Sequence, residues 1–182
     1  AQCLVGSEMC IRDRGWIFAD LFDVEEEEWK NAVEGRLGRL KLSLITEPNV
    51  AADAAAAFRE MRQFEEVDLI NSEAVTKSDP TAEEGSLYET VRAGEPFADS
   101  CLKRYLGRIM KCRMVEELRT VKDGVTPDCY SYSNFIFRHL KKRDYTVGAC
   151  IGSKVSRARQ QDYEADAQRL KKELDEAKRM AD

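Results

Sequence analysis

The chain is poor in the residues that most enzymes depend on. It has one histidine, His139, which opens onto a basic run (Arg138, Lys141, Lys142, Arg143) and has no partner recognisable from spacing. A catalytic triad or a histidine general base would have to use it, and both need a positioned second group. A surface or partly buried role fits it better. The phosphate-binding GxxxxGK[ST] loop, the dinucleotide GxGxxG turn, the GxSxG elbow and the HExxH zinc helix are all missing, which removes the motif-bearing enzyme classes. No apolar run approaches the ~20 residues of a membrane span. No signal-peptide core opens the chain, so a cytoplasmic location is expected. Of the six cysteines, Cys101, Cys112, Cys129 and Cys150 lie in the body of the chain without a CxxC pair. Structural zinc sites usually show close ligand pairs. We therefore expect no metal or other cofactor, and reduced, partly buried thiols.

What is present begins after an unusual start. Leu4 to Asp13 reads LVGSEMCIRD. Back-translated, it resembles a transposase-type sequencing adaptor read in one frame. Residues 1–14, which include Cys3 and Cys10, are therefore expected to be an artefactual or disordered terminus and are set aside. About 168 residues remain, enough for one domain with its own core.

Charge is divided along the chain. Residues 15–100 carry 8 Lys/Arg against 20 Asp/Glu; residues 101–160 carry 14 against 5. The overall charge of −5 conceals this dipole. A basic second half suits phosphate backbones or an acidic partner. Equally, the two halves could pack together and neutralise each other.

Local patterns predict an alternating α/β order. Trp16 to Phe22 reads as a strand. Asp23 and Glu26 have capping-box spacing, so a helix is expected from there to about Arg36, with its acidic run in the first turn. Leu40, Leu42 and Leu44 alternate with Lys41 and Ser43, as in a half-buried strand. Asn49 is placed to cap a helix over about 50–63, and Val67 to Ile70 reads as a short strand. Residues 71–84 are polar and read as a loop. Ser86 and Glu89 suggest a second capping box and a short helix to about Arg92. Pro96 and Gly107 bracket another helix in the positions those residues favour. A strand over 109–112, a helix over 114–121, an extended segment at 125–128 and an apolar strand at Phe135–Phe137 follow. Tyr130, Tyr132 and Phe135, beside the basic run, could stack nucleic-acid bases, although the preference of aromatics for burial favours a core strand.

From Ser153 the pattern changes. Tyr163, Ala167, Leu170, Leu174, Ala177 and Ala181 recur at alternating spacings of four and three, a heptad seam that needs a second helix to cover it. No matching helix lies upstream of Gly15. The partner helix is expected to precede this sequence, and the chain to continue beyond it.

GWIFADLFDVEEEEWKNAVEGRLGRLKLSLITEPNVAADAAAAFREMR resembles the first half of the hinge domain of structural-maintenance-of-chromosomes (SMC) proteins. YLGRIMKCRMVEELRTV followed by GVTPDC resembles the second half. The wording of WKNAVEG, LITEP, KCRMVEEL and TPDCYSY is most similar to the MukB and Wadjet kind. The resemblance implies a two-lobed mixed α/β sheet with flanking helices over residues 15–152, then the start of an outgoing coiled-coil helix over 153–182. It implies a homodimer through the hinge, an incoming helix of the same chain against 153–182, and ATPase heads elsewhere in a longer parent. This part would neither bind nor hydrolyse ATP. A role in chromosome segregation, condensation or plasmid defence, and association with the nucleoid, would follow.

One departure stands out. Where ordinary hinges carry glycines, after the V-T-x-D run and at the dimer contact, this chain has Cys129 and the run Asn134-Phe135-Ile136-Phe137. Those four residues are the candidate interface, and its details are expected to differ from the family pattern. As the alternative function, Lys103, Arg104, Arg108, Arg138, Lys141, Lys142 and Arg143 are candidate contacts to DNA of any sequence.

Overall fold

A computed structural model describes residues 15–181, with the backbone alone for 153–164 and 166. The chain opens with β1 (Gly15–Ile17), turns through a 3₁₀ segment at Phe18–Leu21 and continues as β2 (Phe22–Val24). Helix α1 (Lys30–Leu37) follows. It presents Ala32, Val33 and Leu37 to the core, with Trp29 just ahead of it. Burying a side chain of this kind stabilises by about 1.5–3 kcal/mol. The helix stops at Gly38, whose φ of +52° suits glycine, and the Gly38 N–H closes the last turn on the Glu34 carbonyl. β3 (Leu44–Thr46) then pairs antiparallel with β1, and α2 (Ala51–Glu60) lays Ala51, Ala54 and Ala57 on the core.

Helix α3 (Ser72–Lys77), β4 (Val91–Ala93) and α4 (Pro96–Leu106) complete the first lobe; β4 pairs antiparallel with β2. α4 begins at Pro96 and ends where the Gly107 N–H bonds the Lys103 carbonyl, as its bracketing residues predict. Its buried face is Phe97, Ala98, Cys101, Leu102 and Leu106. The second lobe is a four-stranded sheet in the order β5 (Met110–Lys111), β6 (Asp123–Val125), β7 (Tyr130–Ser133), β8 (Ile136–His139). β5 and β6 run parallel, joined by the short helix α5 (Val115–Leu118). A strap containing α6 (Lys142–Tyr145) runs back across α1, and α7 (Ser153–Ala181) leaves the body.

One apolar cluster joins both lobes, from Phe18, Trp29 and Ile45 to Leu102, Ile109, Val125 and Ile151. Two arginines add polar links. Arg36 on α1 forks onto both carboxylate oxygens of Asp123 at 2.6 and 3.0 Å and reaches the Ser131 hydroxyl at 2.8 Å. Arg113 holds Glu28 at 2.5 and 3.1 Å and lies 5.8 Å from the Trp29 ring centroid.

Several local expectations fail. Asp23 does not cap a helix; it lies in β2 opposite Arg92, and α1 starts at Lys30 with no side-chain cap. The expected first strand is split by the Phe18–Leu21 turn. The leucine alternation is broken by a 3₁₀ turn at Gly38–Leu42, which leaves Leu42 half exposed and buries Lys41 to 2%. Asn49 lies exposed in a 3₁₀ turn and caps nothing. Residues 67–70 contribute a single parallel bridge, Leu69 to Leu44, rather than a strand. Residues 71–84 are not all loop: the Asn71 carboxamide oxygen accepts from the Ala74 N–H and starts α3, which packs on α4. Ser86 and Glu89 form no capping box. Glu89 accepts instead from the Gly85 N–H at 2.8 Å, and the segment is a 3₁₀ turn leading into β4.

Candidate functional site

β7 and β8 form a hairpin whose two-residue turn is Asn134-Phe135. Both residues have positive φ, +50° and +63°, the backbone that two-residue hairpins favour. Asparagine is common there; phenylalanine is not, because the second position normally takes glycine. Phe135 therefore belongs to the turn and not to the strand, and it is 88% exposed.

The register places Tyr130 opposite His139 and Tyr132 opposite Phe137 on one face, and Ser131 opposite Arg138 on the other. Ser131 on β7 is buried, its hydroxyl held by Arg36, whereas Arg138 opposite it and every other residue of β8 are exposed. Tyr132 and Phe137 have ring centroids 4.6 Å apart, and Tyr130 stacks on His139 at 5.0 Å. The expected core strand is thus a surface one: Ile136 and Phe137 remain 49% and 42% exposed, and Tyr130 and Tyr132 are half-buried. β8 is terminal in its sheet, so its outward amide and carbonyl groups have no strand beside them among the described residues. Cys129, the other position where the family pattern has glycine, also sits at positive φ, +69°.

The structure divides the seven basic candidates into two groups. Lys103, Arg104 and Arg108 line a groove of about 280 Å³ with residues 78–81. Lys103 is engaged, 3.3 Å from Asp99 and 5.8 Å from the Tyr88 ring centroid. Arg104 and Arg108 are exposed, without an ion pair among the described residues. Burial, and then Asp99, push the Tyr88 hydroxyl up to about 12. Arg138, Lys141, Lys142 and Arg143 lie exposed along β8 and the start of α6. His139 lies with this second group.

Of the seam residues, Ala167, Leu170, Leu174, Ala177 and Ala181 are exposed on α7; the Tyr163 side chain lies outside the described residues, as do residues 1–14. The four body cysteines are buried. Burial pushes the Cys101 thiol up to about 12, and burial followed by Asp128 pushes Cys129 up to about 11, so neither is a ready thiolate. Among the described residues no group of three or more His, Cys, Asp or Glu is placed to hold a metal ion, and no helix is long and apolar enough to cross a membrane.

No protein-family model matches the chain, and no curated protein sequence matches it. Solved structures do. The SMC protein hinge domain of Pyrococcus furiosus is 16% identical, covers 73% of this chain and 78% of its own, and superposes with a TM-score of 0.54. An asymmetric dimer of the Geobacillus stearothermophilus SMC hinge domain is 13% identical, covers 94% and 78%, and gives 0.56. The Pyrococcus furiosus Smc hinge domain with an extended coiled coil is 18% identical, covers 93% and 68%, and gives 0.57. At these identities the likeness is one of fold, and the mixed α/β architecture of this chain, with its small sheets, flanking helices and C-terminal helix, is that of an SMC hinge domain.

Proposed function

We propose that the chain is the hinge dimerisation module of an SMC-like ATPase of the MukB and Wadjet kind, acting in chromosome segregation, condensation or plasmid defence. Residues 15–152 form the hinge, and residues 153–182 begin the outgoing helix of a coiled-coil arm. The module is not itself an enzyme; ATP hydrolysis belongs to heads elsewhere in the parent, which works in the cytoplasm at the nucleoid. The likeness in fold to SMC hinges, one of them an asymmetric dimer, is the observation that carries this reading. The β8 edge, unpaired among the described residues, supports it. The exposed Leu170 and Leu174 seam supports an incoming helix as the cover of α7. Residues 4–13 are read as adaptor-derived; resequencing with a different library chemistry should replace them.

Sedimentation of the 182-residue chain tests the dimer. A concentration-dependent two-copy species at tens of micromolar is expected. A strict monomer at several hundred micromolar would remove the reading.

A second reading, contact with DNA of any sequence, is favoured by Arg104 and Arg108 in the α4 groove, both exposed and without an ion pair among the described residues. It predicts binding that weakens steeply with salt. Replacing Arg104 and Arg108 by glutamine should reduce that salt slope; no binding at low salt would exclude this reading.

A further inference from the structure

The residue that stands out on the open edge is Phe135. Non-glycine residues at positive φ are uncommon, and for a bulky side chain the conformation is an outlier, because Cβ crowds the following carbonyl. Here it is adopted in a hairpin turn whose second position glycine fills without strain. Among the described residues no other ring packs against that of Phe135. The ring is 88% exposed and makes no ring contact within the hairpin, whereas Tyr130, Tyr132, Phe137 and His139 pair with one another. A strained backbone persists only where something over-determines it, and such strain clusters at binding sites.

We propose that Phe135 is the anchor of the contact between two copies of this chain, and that the left-handed backbone beneath it is strain retained to present the ring. The proposal rests on the hinge-dimer reading and says which residue carries the contact. An exposed aromatic on a rigid two-residue turn loses little conformational freedom on binding, and aromatic residues dominate interface energetics. Ile136 and Phe137, half exposed on the two faces of β8 next to the turn, would flank it. Charge favours a second copy as the occupant. The hairpin is flanked by Arg138, Lys141, Lys142 and Arg143, and the first half of the same chain carries 20 acidic against 8 basic residues. A like-for-like meeting of two β8 edges would bring Arg138 close to its own copy. Opposite charge therefore favours the hairpin meeting the acidic half of its partner.

The test uses two substitutions in the full 182-residue chain. Dimer affinity is measured by sedimentation equilibrium. Monomer stability is measured by urea unfolding at concentrations well below the wild-type dissociation constant, so that association does not contribute. Phe135→Gly removes both ring and strain; Phe135→Ala removes the ring and keeps the strain. Both should weaken dimerisation at least tenfold. Only the glycine variant should raise the urea midpoint of the monomer. Opposite signs on affinity and stability are the signature of strain held for binding. If the wild type dimerises and both variants do so equally well, Phe135 is not the anchor, while the dimer stands. If the wild type is monomeric, the dimer reading fails and the anchor with it. If Phe135→Gly does not raise the midpoint, the strain assignment is overturned.

Discussion

Glu34 and Lys41 form an ion pair at 2.7 Å inside the molecule, 0% and 2% exposed, and between them they hold the strap that leads to α7. The other Glu34 oxygen accepts from the backbone N–H groups of Cys150 and Ile151 at 3.0 and 2.8 Å. Lys41 Nζ also donates to the Asp144 carbonyl at 2.5 Å and the Glu34 carbonyl at 3.3 Å. Buried charges are tolerated only when paired and hydrogen-bonded, and this pair meets both conditions.

Breaking the pair on one side should therefore be severe. Glu34→Ala removes the carboxylate that faces the buried Lys41 ammonium and accepts from the Cys150 and Ile151 amides, and should cost about 3–5 kcal/mol in urea unfolding. Glu34→Leu combined with Lys41→Leu should cost less than the sum of the two single changes, because no uncompensated charge remains. Additive losses would show that the two groups do not act as a unit. In hydrogen exchange, the Cys150 and Ile151 amides should lose protection in every variant that lacks the Glu34 carboxylate.

Arg36 ties α1 to the second-lobe sheet through Asp123 and Ser131, with its side chain only 14% exposed. A lysine cannot reproduce the fork onto both carboxylate oxygens. Arg36→Lys should destabilise the chain by about 1–3 kcal/mol, within the range of charge-assisted hydrogen bonds. A double-mutant cycle with Asp123→Asn should return a coupling of at least about 0.5 kcal/mol.

Acid should loosen the surface links that Glu28 and Glu89 make between segments. Arg113, through its hydrogen bonds and then its charge, outweighs burial and holds the Glu28 carboxyl below its ordinary value of 4.5. The Gly85 N–H, followed by Lys111, does the same for Glu89. A carboxylate whose pKa is lowered by folding stabilises fully above its unfolded value and loses that contribution as pH falls through the folded one. Stability should thus fall with acidification below 4.5. Replacing Glu28 and Glu89 by glutamine should flatten that slope and leave the neutral-pH slope unchanged, as followed by thermal unfolding across pH.

Gly107 marks a close approach. A Cβ there would lie 2.9 Å from the Ala82 Cα and 3.1 Å from the Thr81 carbonyl oxygen, both backbone atoms that cannot swing aside. Gly107→Ala should lower the urea midpoint even though alanine is the better helix former. An unchanged or raised midpoint would show that the 78–82 segment yields freely.

Much of the architecture is legible without coordinates. Proline and glycine bracket α4 at Pro96 and Gly107, and the alternation of apolar segments points to the α/β class, because these are local rules of backbone and period. The resemblance to SMC hinges was also carried by sequence alone, through the order of its motifs. Other features have no local signal. α3 is six residues long and polar, and it exists because Asn71 caps it and α4 packs against it. Lys41 sits in a leucine alternation that argues for exposure, yet its partners Glu34 and Asp144 enclose it. The hairpin aromatics show the converse: their composition argues for a core, and the end-of-sheet position of β8 leaves them at the surface. Period and composition report what a segment would do beside an average neighbour. The contacts that decided Lys41, Glu34 and Phe137 join residues distant in the chain or depend on a strand's place in its sheet, and those relations come into being only when the chain folds.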